Sequence, residues 1–209
     1  MTKTVSLQIN PLLNMGHARG VQLGKLHLEK MLEIIGRGPH PDAPGQLVIW
    51  DFTGVESATF SYLKATVLSL LRYSGVTIDG EDSRLLGPPL NIFPVLFGLN
   101  TEVREELDIL LASRKIFSLE VIQFNKHNST DNISIGEIRG GEDKVVMETV
   151  RALSKAKSAT ASELQKLSKS PAGVTAWNNR LAYLYMLRLA RRRKYERQLI
   201  YESLSSSIK

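Results

Sequence analysis

Leu47-Val48-Ile49-Trp50-Asp51-Phe52 is a short, nearly continuous apolar run. A strand with one wet face alternates apolar and polar residues. A run without alternation suits a central strand covered on both faces. Whatever this chain folds into must bury that strand inside a sheet.

The flanking patterns say what kind of sheet. Residues 4–9 alternate, with Val5, Leu7 and Ile9 on one side and Thr4, Ser6 and Gln8 on the other. They read as a half-buried strand ended by Pro11. Over residues 15–35 the apolar positions Val21, Leu23, Leu26, Leu28, Met31, Leu32 and Ile35 fall at helical spacing. Gly20 and Gly24 weaken the start of that helix. With Gly16 they are spaced four apart, which suits close helix packing. Residues 36–45 are dense in breakers and read as a loop. Gly54 turns the chain, and residues 57–73 read as a helix with Leu63, Val67, Leu70 and Leu71 inward. Residues 75–89 are polar and broken. Residues 92–99 form another buried run, in which Pro94 predicts a short or edge strand. Asn100-Thr101-Glu102-Val103-Arg104 opens a helix with a cap and early acid, continuing through Leu107, Leu110 and Leu111. Residues 117–124 read as a fourth strand. Strand and helix alternate throughout, so the expected class is α/β, with a mostly parallel sheet and packed helices.

Residues 125–142 turn polar and glycine-rich, marking a linker or a terminal hairpin. The expected division is an α/β domain over 1–138 and a small domain over 143–209. A cut near Gly140-Gly141 is expected to leave 1–138 folded. Beyond it the pattern is helical. Val145, Val146, Val150 and Leu153 mark one helix. Thr160-Ala161-Ser162-Glu163 is a capping box that starts a short helix over 161–168. Pro171 and Gly173 end it, and a third helix is expected from about Thr175 to Leu189. Arg191-Arg192-Arg193-Lys194 reads as a basic turn and Gln198-Leu199-Ile200-Tyr201 as a strand.

Charge follows the same division. Residues 143–209 hold 14 Lys/Arg and 5 Asp/Glu, a net of +9; the remainder holds 13 and 16, a net of −3. A basic end on a mildly acidic body points to nucleic acid or another anionic surface as partner. The chain has no cysteine, so disulfides, thiolate catalysis and cysteine-ligated metals are excluded. No apolar run approaches the roughly 20 residues of a membrane helix. The first residues lack the pattern of a secretory signal. The expectation is a cytoplasmic chain with no membrane contact.

The C-terminal order of helix, capped short helix, turn, longer helix and basic hairpin resembles a winged helix-turn-helix domain over residues 143–204. The carrying phrases are Val174-Thr175-Ala176-Trp177-Asn178-Asn179-Arg180-Leu181, then Leu187 to Arg193 and Leu199-Ile200-Tyr201. The resemblance implies double-stranded DNA as partner. Thr175, Asn178 and Asn179 would reach base edges or phosphates from the recognition helix. Arg180 would meet a phosphate or pair within the domain. Trp177 is expected to complete the small core, with stacking on a base as the alternative. Arg191, Arg192, Arg193, Lys194 and Arg197 would form the wing and neutralise phosphates. The alternative is a scaffold subunit whose winged helix contacts protein.

Residues 1–125 resemble the STAS-like fold of anti-sigma factor antagonists, on the phrases Leu47 to Phe60 and Val95 to Leu107. That resemblance implies a protein-interaction module that binds another protein or itself. Classical members carry Asp-Ser-Ser-Gly-Leu at a phosphorylated switch loop. Here Thr59-Phe60-Ser61-Tyr62-Leu63 matches it, and Ser61 alone falls on the serine position. The residue-level reading of Ser61 is a helix cap or first-turn position.

No catalytic motif emerges. His17, His27, His40 and His127 are dispersed without metal-ligand spacing. Asp51, at the end of a buried strand, is expected to cap the following turn. The sequence therefore predicts a non-enzymatic, cofactor-free DNA-binding regulator.

Overall fold

The computed structural model describes residues 4–13, 16–36, 45–78, 90–123, 134–140, 143–168, 171–204 and 207–208. The chain begins with β1 (Thr4–Gln8), a 3-10 turn over Asn10–Leu12, β2 (His17–Ala18) and α1 (Val21–Ile35). The buried run forms β3 (Gln46–Asp51), followed by β4 (Ser57–Ala58). A continuous helical stretch comes next: α2 (Phe60–Leu63), a π-helical turn over Lys64–Leu68, and α3 (Ser69–Tyr73). Then follow β5 (Ile92–Phe97), α4 (Thr101–Ser113), β6 (Phe117–Gln123) and β7 (Ser134–Gly140). The C-terminal part contributes α5 (Lys144–Ala156), β8 (Ser158–Ala159), α6 (Ala161–Leu167), α7 (Val174–Met186), β9 (Ala190–Tyr195), β10 (Gln198–Ser203) and β11 (Ser207–Ile208).

The central sheet has the order β1-β3-β5-β6-β7-β11. Its first four strands are mutually parallel, β7 runs antiparallel to β6, and β11 pairs parallel with β7. The class is therefore mixed α/β with a mostly parallel sheet. Parallel strands laid side by side in sequence order, with right-handed crossovers, send every connecting helix to one face. The pleat then sorts the side chains. Val48, Trp50 and Leu96 lie in a buried cluster with Leu28, Met31, Tyr62, Leu71, Val103 and Leu107 from those helices. Leu47, Ile49, Phe93, Val95, Leu119 and Val121 point the other way. Among the described residues, no helix of the N-terminal half is left to cover that second face. Its cover is the C-terminal segment, through Val150, Leu153, Leu181, Leu184, Leu187 and Tyr201. This is why β3 is apolar on both faces.

Residues on both sides of position 140 thus share one apolar cluster. Residues 134–140 take the hairpin reading and not the linker one, although they are not the last strand of the sheet. They form the antiparallel hairpin partner of β6, and β11 pairs beyond them. Arg139, 8% exposed, holds β7 to α4 and β6, with contacts of 2.9 Å to Asp108 and 3.0 Å to Glu120. Arg104 reaches the same Glu120 at 2.7 Å. Glu120 is the one charged residue of β6 on the face it shares with Leu96, and two guanidiniums compensate its burial.

Three local expectations change. The first helix starts at Val21, because Gly20 adopts φ 82° and His17–Ala18 pair with β4 instead. Strand β5 is interior, despite Pro94. Amides of β3 bond carbonyls of odd-numbered β5 positions at both ends, Gln46 to Asn91 and Phe52 to Phe97. Pro94 therefore faces β6, where pairing starts only at Val95, so no ladder bond is lost. The four consecutive cations 191–194 are a strand and not a turn. The reversal falls on Glu196-Arg197, with Glu196 at φ 52° and Tyr195 opposite Gln198. Within 36–45 and 75–89, residues 37–44 and 79–89 lie outside the described residues, as do Met15, Phe124, His40 and His127.

Candidate nucleic-acid interface

Three helices and a small sheet make up the basic end. Asp143 caps α5 by accepting from the Val145 and Val146 amides at 2.8 and 3.1 Å. Thr160 and Glu163 form the reciprocal capping box that opens α6. This bonding holds the Glu163 carboxyl below its ordinary pKa, chiefly through the Thr160 amide. Helix α7 follows after Gly173, without a side-chain cap. Strands β8, β10 and β9 form an antiparallel three-stranded sheet beside them.

Helix α7 is two-sided at helical spacing. Trp177, Leu181 and Leu184 are buried. Thr175, Asn178 and Asn179 are exposed near its start, and Tyr183 and Met186 are exposed further along. Trp177 is fully enclosed, so it belongs to the core. Arg180 is turned to its own domain. Its guanidinium lies 5.2 Å from the Trp177 ring centroid and 3.6 Å from the Glu148 carboxylate.

The basic strand divides by the pleat. Arg191 and Arg193 share one side. Arg191 is half-buried with its guanidinium 5.8 Å from the Phe93 centroid. Burial lowers its pKa, with Glu202 opposing. Arg193 is exposed and donates to Glu202 at 2.5 Å. On the other side, Arg192 stacks on Tyr185 at 4.1 Å and Lys194 is exposed. Arg197, in the hairpin turn, is exposed as well. The solvent-facing cations of the predicted set are therefore Arg192, Arg193, Lys194 and Arg197. Arg180 and Arg191 are engaged internally.

A junction residue escaped the sequence reading. Arg188 follows α7 in a left-handed conformation, φ 60°. Its Nε donates to the Ser74 carbonyl at 2.5 Å, and its guanidinium lies over Phe93 and Tyr185. Burial lowers its pKa, with Tyr185 opposing. It ties the base of α7 to the end of α3. Its only sequence signal was a lone arginine inside an apolar run.

In the N-terminal half, Ser61 occupies the first turn of α2. Thr59 is the cap, accepting weakly from the Tyr62 amide at 3.4 Å, and its hydroxyl lies 3.2 Å from the Ser61 hydroxyl. Ser61 borders a groove of about 330 Å³ with Val21, Phe60, Lys64 and Leu68. Asp51 accepts from the Thr53 amide at 3.0 Å, the turn-capping role expected of it. His17 Nδ1 is 2.9 Å from the Ser57 hydroxyl, and His27 Nδ1 is 2.8 Å from the Tyr62 hydroxyl. Among the described residues, no cluster of three His, Asp or Glu is placed to hold a metal ion. No described helix is long and apolar enough to cross a membrane.

Comparison with protein-family models, with curated proteins and with solved structures finds no match.

Proposed function

We propose that this chain is a non-enzymatic DNA-binding regulator. In this reading, residues 143–204 act as a winged helix-turn-helix module and the N-terminal sheet unit as a STAS-like protein-interaction module. The observation that carries it is the joint exposure of two adjoining surfaces. Helix α7 presents Thr175, Asn178 and Asn179 opposite its buried face. The neighbouring hairpin presents Arg192, Arg193, Lys194 and Arg197. Short amides at the start of a helix can bond adenine edges in a major groove. Cations on an extended ribbon can follow a phosphate backbone. The element order helix, strand, helix, helix, two-stranded hairpin supports this reading.

A second reading has its own support. Tyr183, Met186, Tyr195 and Leu199 are large apolar side chains exposed on α7 and the hairpin. Exposed apolar side chains on these elements favour a protein partner. Substitution separates the two readings. Asn178→Ala or Asn179→Ala should cost about 1–3 kcal/mol on a site selected from random duplexes and much less on random DNA. Replacing Arg192 and Lys194 with Ala should weaken binding to all duplexes alike and flatten the salt slope by about one to two units. If the chain has no DNA affinity, and Met186→Lys or Leu199→Lys abolishes capture of a protein partner, the second reading holds.

The N-terminal module would take a protein partner or a second copy along the groove beside Ser61. The acidic and glycine residues of the family's switch loop are absent there, so Ser61 is not expected to carry stoichiometric phosphate.

A further inference from the structure

We propose that the cleft enclosed by β7, α5, α6 and α7 binds an amphipathic monoanion, an aliphatic chain ending in a carboxylate. The cleft measures about 900 Å³, within the range of small-molecule sites. Its floor is largely apolar: Ile138, Met147, Ala152, Leu164, Leu167 and Trp177. Leu167 is 71% exposed, so the cleft leaves a large apolar side chain against solvent.

Charge at the mouth selects the sign of the ligand. Lys144, Arg151 and Lys155 line the cleft and are exposed. Their spacing of seven and four residues places them on one face of α5. Two acids line it as well: Asp143, which accepts from the two amides it caps, and Glu148, which faces Arg180. The three cations outnumber them, so the described lining is net cationic above an apolar floor. A carboxylate supplies the charge that the mouth complements, and its aliphatic chain covers the apolar floor on which Trp177 lies. A polyhydroxylated or nucleotide ligand would set its polar groups against aliphatic walls at a cost of about 1–3 kcal/mol for each unpaired group.

The test uses dodecanoate below its micellar concentration on the full chain. The protein has two tryptophans, so Trp50→Phe leaves Trp177 as the sole indole reporter. Calorimetry on the unaltered protein supplies a readout that does not depend on that variant. The expected result is a saturable change in Trp177 emission, matched by saturable heat. Dodecyltrimethylammonium should give neither. Replacing the exposed Arg151 and Lys155 together with Ala should weaken dodecanoate about tenfold. Absence of saturable binding by both methods would overturn the proposal. So would equal binding of the cationic amphiphile, or an unchanged affinity in the double variant.

Discussion

His27 is where a single side chain makes stability sensitive to pH. It is buried at the contact of α1 with α2, and its ring meets Tyr62 edge-on at 5.7 Å. Burial holds its pKa below the ordinary 6.5, Lys30 adds to that, and a bond at Leu12 opposes it. Burial also raises the Tyr62 phenol, so the hydroxyl stays protonated as a partner for the imidazole. The sign follows by linkage. On acidification the unfolded imidazole takes up its proton near 6.5, while the folded one is still neutral. The His27 contribution is thus fully present above 6.5 and is lost as pH falls below it. Urea midpoints between pH 7.5 and pH 5 should fall in the native protein. They should fall less in His27→Gln, which keeps a partner for Tyr62 without the titration. Equal pH slopes in the two proteins would contradict this assignment.

Helix α1 can approach α2 closely because of Gly24. A Cβ there would lie 2.7 Å from the Ala65 Cβ and 3.0 Å from the Tyr62 carbonyl oxygen. Alanine should gain about 1 kcal/mol of helix propensity. Overpacking costs about 1–3 kcal/mol and should win, because one of the two obstacles is backbone. Gly24→Ala should therefore lower stability by about 1 kcal/mol in urea unfolding; a stabilised variant would show that the helices separate freely. Elements of this kind were legible where their signals are local. The alternation of β1, the apolar run of β3, the Asn100 cap of α4 and the Thr160–Glu163 box each rest on neighbours a few residues apart. Legibility failed where distant partners decide. For the polar, glycine-bearing residues 125–142 the sequence left linker and hairpin open, and the pairing of β7 with β6 decides for the hairpin. Four consecutive cations carry no period of their own, so the division of 191–194 between two faces depends on where the hairpin turns. The π-helical turn after α2 goes with a local side-chain bond, Thr66 to the Tyr62 carbonyl at 2.9 Å, that periodicity does not encode.

At the scale of the molecule, the sheet order governs what depends on what. All described N-terminal helices lie on one face, and the second face is covered by residues beyond 140. Sequence composition divided the chain near that point by charge and by helix content, and those signals carry no information about shared burial. A fragment ending at residue 138 should expose Leu47, Ile49, Phe93, Val95, Leu119 and Val121. It should bind a hydrophobic dye and unfold without a sharp transition, where the full chain unfolds cooperatively. A cooperatively folded fragment would mean that the sheet closes this face without the C-terminal helices. The exposure of the candidate interface residues was legible in part. Thr175, Asn178, Asn179, Arg192, Arg193, Lys194 and Arg197 do face solvent, while Arg180 and Arg191 turn inward onto Glu148, Trp177 and Phe93. Those contacts join separate elements, so residue type alone could not reveal them. The central claim, that the exposed cations of the hairpin meet phosphates, has a direct measure in the salt dependence of duplex binding. Fluorescence anisotropy of the full chain on duplex DNA, titrated at several salt concentrations, should give a log–log slope of about −3, as three to four neutralised phosphates require. Failure to bind any duplex more tightly than about 100 μM at low salt, a level that non-specific binders reach even at physiological salt, would contradict it.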